Sequence, residues 1–411
     1  MDHRRKRGIA VVAVFAALAC VAMAGWVLAP RGDRLRQGLV REIGLRFGVQ
    51  AAIGSASWQL LPAPALTVLE FSTHHDQPIT IRQFVAVLDV GSTLLRREIC
   101  LDRIEVDGAV IPAVSLAALR GRPGVARSGP ESDDPGRLPV GHVRFRGVTW
   151  ISRTDVSLPI EGEVDFDPGW RPRYAEVRRA ASATAARLTL AREGDADRWR
   201  TRAAFGSGTA NGIVLLTTRD DGLLVLGGTL EPRDIEVASA VASLNRISPV
   251  RGEANGRTTV SAQGRTAAEL ARSLRLLTEF TIAPATLLRL DVDKAIRTLG
   301  LQHDGQTTLQ SMTGSMELQN TGEGPVLRFT DIEARADSFA ATGEGTVFNR
   351  RIDAHGTVDL LNGLVGVPFA IRGTTRKPRI AVFGGKPPDA PVLPVPADEG
   401  ATPPAGARDE N

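Results

Sequence analysis

DVSLPIEGEVDF, running from Asp155 to Phe166, alternates regularly enough to decide the fold class. Val156, Leu158, Ile160, Val164 and Phe166 fall on one side of an extended chain, with Asp155, Ser157, Glu161, Glu163 and Asp165 on the other. Side chains on a strand point alternately to opposite faces. The segment therefore reads as an antiparallel strand with one apolar and one wet face. Pro159 cannot donate a ladder hydrogen bond and marks an edge or a bulge.

The same period extends in both directions. From Val49 onward, Ala65–Phe71, Ile79–Val90, Glu98–Gly108 and Ile111–Val114 read as strands. Pro62-Ala63-Pro64, His74–Pro78 and Gly91–Arg97 separate them, and Ser115–Leu119 reads as one helical turn. Downstream come Ala186–Ala191, Trp199–Phe205, Ile213–Thr218, Gly222–Leu230 and Arg257–Ala262, with hairpin-like turns at Arg192–Asp197 and Arg219-Asp220-Asp221. Later strands are Thr307–Gln319, Val326–Arg335, Ala340–Phe348, Ile352–Leu360, Val367–Gly373 and Ile380–Phe383. In Thr307–Gln319, Met312, Met316 and Leu318 share a face with Gly314.

Helical spacing interrupts this pattern in three places. After Pro30, Leu35, Leu39, Ile43 and Phe47 form an apolar stripe, with Arg34, Arg36, Arg41 and Arg46 elsewhere around the turn. Such a helix either lies on a lipid surface or packs its stripe on a core. Thr266 with Glu269 makes a capping box, with Leu270, Leu274 and Leu277 continuing on one face. Asp291 caps a second short helix through Leu299, striped by Val292, Ile296 and Leu299. The body is thus mainly β, with roughly fifteen to twenty strands and three short helices. Such a meander closes into a barrel, splits into a sandwich or runs as one long curved sheet.

Ahead of the body stands Ile9–Leu28, IAVVAVFAALACVAMAGWVL, without a charge. A helix of this length rises about 30 Å, enough to cross a bilayer, and Ile9, Phe15, Leu18, Trp26 and Leu28 would span it. Arg4, Arg5, Lys6 and Arg7 hold the front end in the cytoplasm, so the remaining chain is exported. Cleavage after Ala22-Met23-Ala24 and lipid attachment at Cys20 are alternatives. The uncleaved anchor is preferred because the apolar run continues through Trp26 and Leu28, and because Ala17 stands three before Cys20 where a lipid-attachment site expects leucine. The expected organisation is a tip and anchor over 1–30, an amphipathic helix with strands over 31–119, and a linker over 120–137. A continuing sheet follows over 138–383, and a disordered Pro-, Ala- and Gly-rich tail over 384–411.

Hydrophobic residues make up 43% of the 411-residue chain, which excludes a disordered protein. The 50 basic residues are interspersed with 46 acidic ones, which argues against a nucleic-acid face, as does export. Cys100 is the only cysteine in the body, so no intrachain disulfide framework exists there. No catalytic constellation stands out. His74-His75-Asp76 lacks a second ligand pair, and Gly206–Gly212 precedes a strand where a phosphate cradle requires a helix N-terminus. Asp291 and Asp293 suit helix capping better than acid–base work, and no G-x-S-x-G elbow occurs. The chain reads as no enzyme, with no cofactor and no metal.

Several segments resemble the AsmA-like family of bacterial envelope proteins. They are FGVQAAIGSASWQLLPAPALTVLEFS (Phe47–Ser72), VAVLDVGSTLLRREICLDRIEVDGAVI (Val85–Ile111) and SAQGRTAAELARSLRLLTEFTIAPATLLRLDVDKAIRTLG (Ser261–Gly300). GTVDL (Gly356–Leu360) and VPFAIRGTTRKPRIAV (Val367–Val382) resemble the family's closing strands. The stretch Gly141–Gly256 matches only in strand pattern, and DVDKAIR departs from the glycine-led segment often found there. The resemblance implies a strongly curved, taco-like β-sheet with an apolar groove, anchored in the bacterial inner membrane with its body in the periplasm. It implies phospholipid transport between envelope membranes or outer-membrane homeostasis. Membrane phospholipids and other envelope proteins would be the partners. Val156, Leu158, Ile160, Val164, Phe166, Met312, Met316 and Leu318 are the candidate groove lining. A non-catalytic scaffold assisting outer-membrane protein assembly is the alternative. No nucleotide-binding signature occurs, so a partner or a gradient would drive transport.

Overall fold

The computed structural model describes residues 32–382, apart from 75, 97, 119–138, 154, 181–185, 195–196, 266, 322–323 and 361–365. The expected span, with Ile9, Phe15, Leu18, Trp26 and Leu28, lies outside the described residues, as do the expected linker and tail. Among the described residues no helix is long and apolar enough to cross a membrane.

Helix α1 (Gly32–Phe47) leads into β1 (Ala51–Gln59), β2 (Ala65–Thr73), β3 (Thr80–Leu88), α2 (Val90–Arg96), β4 (Leu101–Pro112) and α3 (Ala113–Ala118). Then come β5 (Val140–Ile151), β6 (Ser157–Phe166), β7 (Pro172–Arg179), β8 (Ala186–Arg192), β9 (Arg198–Phe205) and β10 (Gly208–Thr218). Next are β11 (Leu224–Arg233), β12 (Ile235–Glu236), α4 (Val237–Ser243), β13 (Val250–Gly264), α5 (Ala267–Arg272), β14 (Arg275–Leu288) and α6 (Val292–Arg297). The chain closes with β15 (Gln306–Leu309), β16 (Ser311–Thr321), β17 (Gly324–Arg335), β18 (Phe339–Phe348), β19 (Arg351–Leu360), β20 (Val367–Thr374) and β21 (Pro378–Val382).

All of these strands join one 21-stranded sheet. Each lies beside its sequence neighbour, except that β12 extends β11 along β13, while β15 and β16 share β14. Strands β1 and β21 do not pair with each other, so the sheet is open, neither barrel nor sandwich. The expectation of antiparallel pairing needs one correction: β4 and β5 are parallel, with Leu101 beside Val140 and Ile104 beside Val143. Parallel neighbours require a crossover of a dozen or more residues. Residues 113–139 supply it, so the strands on either side of the expected linker belong to one sheet.

Strand β5 escapes sequence reading because of a bulge. Its ladder to β6 shifts between Phe145 and Val148, with Gly147 at φ +58°, so Val143 and Phe145 share a face with Val148 and Trp150. Strict alternation never appears. Strand β7 carries so many charges that only Ala175 and Val177 mark its apolar side. Gly91–Arg97, read as a separator, falls mostly in α2, which begins at Val90, the expected end of a strand. Helix α3 (Ala113–Ala118) overlaps the helical turn expected at Ser115–Leu119, and six helices are described where three and that turn were expected. The expected strand Thr307–Gln319 breaks at Gln310; Glu98–Gly108 and Ile111–Val114 join in β4, which spans Leu101–Pro112, while Ala113 and Val114, expected in a strand, begin α3. Leu277 belongs to β14, not to a helix, and Glu269 accepts from the Arg265 amide at 2.8 Å. Thr266 lies outside the described residues.

Two cores occupy the same side of the sheet. The first joins Leu35, Leu39 and Ile43 of α1 to Leu66, Val68, Phe84, Ile104 and Val143. The α1 stripe is therefore used against strands and is not free for a lipid surface. The second gathers Val292 and Ala295 of α6 with Ile282, Leu309, Phe339, Val358 and Ile380. Asp291 caps α6 as expected, accepting from the Lys294 amide at 2.9 Å. Thr307 Oγ1 accepts from the Val292 amide at 2.9 Å and donates to the Leu290 carbonyl at 2.8 Å. Leu299, expected on the α6 stripe, follows the helix at φ +52° and is 71% exposed.

Strand coiling sets a further condition. At Gly212 a Cβ would run into the Thr229 carbonyl oxygen of the neighbouring strand, so only glycine lets β10 and β11 approach there. Gly227, on the opposite face, has open space around it. Gly212→Val should destabilise by about 2 kcal/mol or more, while Gly227→Val stays within about 0.5 kcal/mol, as read by urea denaturation. Leu39→Ala, in the fully buried stripe of α1, should cost about 2–5 kcal/mol in the same assay.

Candidate functional site: the inner face of the sheet

Residues paired across a ladder share a face, so the registers trace that face from strand to strand. Trp58, Leu66, Ala86, Ile104 and Val143 lead in sequence to Val164. The row continues through Ala175, Leu190, Thr201, Gly212, Leu230, Thr258, Thr278 and Met316. It ends through Phe329, Gly345, Ala354, Ile371 and Ile380. No charge interrupts it, and at about 4.8 Å per strand it runs roughly 85 Å along the sheet. The hydroxyls of Thr258 and Thr278 bond to each other at 2.9 Å, so neither needs a partner from above the face.

The other face differs in kind. One position along, Glu105, Arg144, Glu163, Glu176, Thr189 and Arg202 pair in turn. Cross-strand ion pairs cover it: Arg178 with Glu161 at 3.0 Å, Arg275 with Glu317 at 2.6 Å and Arg82 with Asp107 at 2.7 Å. Each such pair adds little stability, but together they keep this face wet.

Two contacts show which way the sheet curls. Arg179 of β7 donates from Nη1 to the carbonyls of Ala242, at 2.8 Å, and Ser243 at the end of α4. Asn245 donates to the Ser157 carbonyl of β6 at 3.2 Å. On a flat sheet β7 and β12 would stand about 20 Å apart. The contact closes only if the sheet rolls toward the apolar face, which is therefore the inner one. The cation also meets the negative end of the α4 dipole.

At paired positions from β6 to β21, the charges on the inner face are Arg179 and Arg192. Arg192 has a side chain only 3% exposed, ion-paired with Asp167. Among the described residues its Nε and Nη1 have no hydrogen-bond partner. The two arginines stand at opposite ends of the strands, and the face between them is uncharged.

The structure places the candidate residues as follows. Leu158, Ile160, Val164 and Phe166 lie on the inner face of β6, half-buried, the last three against the first core. Val156 precedes β6 and is buried at the β5–β6 turn. Met312, Met316 and Leu318 lie on the same face of β16, joined to Val164 by the row above. Met312 packs against the second core. Met316 and Leu318 are half-buried and lie outside both cores. Sequence reading missed Ala175, Val177, Leu190 and Leu230 as members of this face; only the registers reveal it.

No group of three or more metal-ligating side chains occurs among the described residues. His142, on the outer face, pairs with Asp165 at 2.6 Å. Comparison with protein-family models, with curated proteins and with solved structures gave no match.

Asp167 lies at the β6–β7 turn beside Arg192. Its carboxylate accepts from the amides of Arg171 at 3.0 Å and Gly169 at 2.8 Å. The Arg171 amide foremost, with Arg192, holds its carboxyl below the ordinary 3.8, against the opposing effect of burial. A depressed folded-state value adds stability that is fully present above about pH 4 and fades as pH falls through the folded value. Asp167→Asn should therefore lower the urea midpoint at pH 7 and flatten its decline below about pH 4.

Proposed function

We propose that the inner face holds the acyl chains of membrane phospholipids, and that the chain carries them between the membranes of a bacterial envelope. The observation that supports this reading is the uncharged row from Trp58 to Ile380. Acyl chains in water cost about 0.8 kcal/mol per CH₂, so a continuous apolar strip removes most of that penalty along the whole path. Between the two cores, at Leu190 and Leu230, the face is half-buried. A strip without a tight polar pocket lets a chain slide, whereas a pocket would hold it.

The uncharged stretch Ile9–Leu28, with basic residues before it, supports single-pass anchorage in the inner membrane with the body in the periplasm. The order of motifs resembling the AsmA-like family points the same way. This reading assigns no catalytic step; a gradient or a partner supplies the drive.

Photo-crosslinking residues introduced into the full chain test it directly. Placed at Leu190, Leu230 and Met316 they should give phospholipid adducts; placed at Thr189, Arg202 and Arg328, on the outer face, they should not. Equal labelling of the two faces, or a folded chain that yields no adducts, would overturn the proposal. Leu190→Asp with Leu230→Asp should reduce co-purifying lipid about tenfold, equivalent to ~1.4 kcal/mol.

A further inference from the structure

One end of the sheet carries an apolar surface distinct from the inner face. Leu60 and Leu61, in the β1–β2 turn, are 60% and 80% exposed, and Leu94 and Leu95 of α2 are 73% and 85% exposed. The registers bring them together. Gln59 pairs with Ala65 and Ala65 with Val87, the Leu88 amide donates to the Pro64 carbonyl at 2.8 Å, and α2 begins two residues later. The β6–β7 turn reaches the same end: Arg96 donates to the Pro168 carbonyl at 3.3 Å, its guanidinium 5.3 Å from the centre of the Trp170 ring.

The start of α1 lies at this end too. A Cβ on Gly32 would sit 3.2 Å from the Ala56 carbonyl oxygen, in the half of β1 that ends at Gln59. The helix then runs back to Gly48 and turns into Ala51 at the far end. The described chain therefore begins, at Gly32, at the end of the sheet that carries Leu60, Leu61, Leu94 and Leu95, and the uncharged stretch Ile9–Leu28 precedes it in sequence. Exposed apolar patches of this kind mark contact surfaces, and a tryptophan with an arginine above it suits the depth of phospholipid headgroups.

We propose that this end of the sheet seats on a phospholipid bilayer, with the four leucines entering the lipid and the Arg96–Trp170 pair lying at the headgroups. The inference rests on membrane anchorage as read above and adds an orientation: the ends of β1–β4 that carry the leucines face the membrane.

The test uses the full chain, with Cys20→Ser and the buried Cys100 retained, reconstituted into phosphatidylethanolamine–phosphatidylglycerol vesicles. A nitrobenzoxadiazole label is placed in turn at Leu61→Cys, Leu95→Cys and Asp76→Cys. The last is exposed at the opposite end of β2, about 27 Å away. Spin-labelled lipid should quench the labels at 61 and 95 severalfold more than the label at 76. Equal quenching at all three, with the chain still bound to vesicles, overturns the orientation and leaves the anchor standing. Failure of the chain to stay with the vesicles overturns both. Leu94→Glu with Leu95→Glu, unchanged in urea midpoint, should abolish quenching at 61; undiminished quenching there would also overturn the seating.

Discussion

Everything in this molecule depends on parity. A side chain's face is fixed by whether its position along the strand is odd or even, and one slipped residue sends a whole strand's apolar set to the wrong side. A sheet this long must keep that parity through every turn and bulge. The structure does so with compensating irregularities: the β5 bulge at Gly147 keeps Val143 and Val148 on one face. The β17 bulge does likewise, with Asp331 at φ +53° between Phe329 and Ile332. Without these extra residues the inner face would change from apolar to charged partway along the sheet.

The two cores and the middle of the sheet divide the work. Helices α1 and α6 each press an apolar stripe onto the inner face near one end and supply the volume that a single sheet layer lacks. Between them the same face remains half-buried. Thr258 and Thr278 satisfy each other there, Gly212 allows close strand approach, and the arginine heads are held at the margins. The chain thus keeps this face uncharged between its two cores.

Much of the fold was legible because alternation is a local signal. Asp155–Phe166 announced itself, and most strands from Gly324 to Val382 fell within a residue or two of their expected limits. The losses have physical causes. At β5 the bulge disguises the period, at β7 arginine and glutamate outnumber the apolar residues, and at Leu277 an apolar spacing fits a helix and a strand alike. The candidate face was legible only in fragments. Leu158 and Met316 could each be seen on an apolar side, but that these sides are the same side is a property of the intervening registers, which no single strand encodes.

The parallel junction between β4 and β5 has a consequence for how the chain assembles. Elsewhere a strand finds its partner across a hairpin or a shorter connection that carries a helix, so loop-closure entropy is smaller and pairing can advance more locally. At this one junction the partners are separated by residues 113–139, and Val140, Val143 and Val148 beyond it belong to the same core as Leu39 and Ile104. The first core therefore stays incomplete until a distant segment returns. The assembly of a mostly local sheet is thereby gated by a single long-range closure, placed next to the end at which the chain enters its fold.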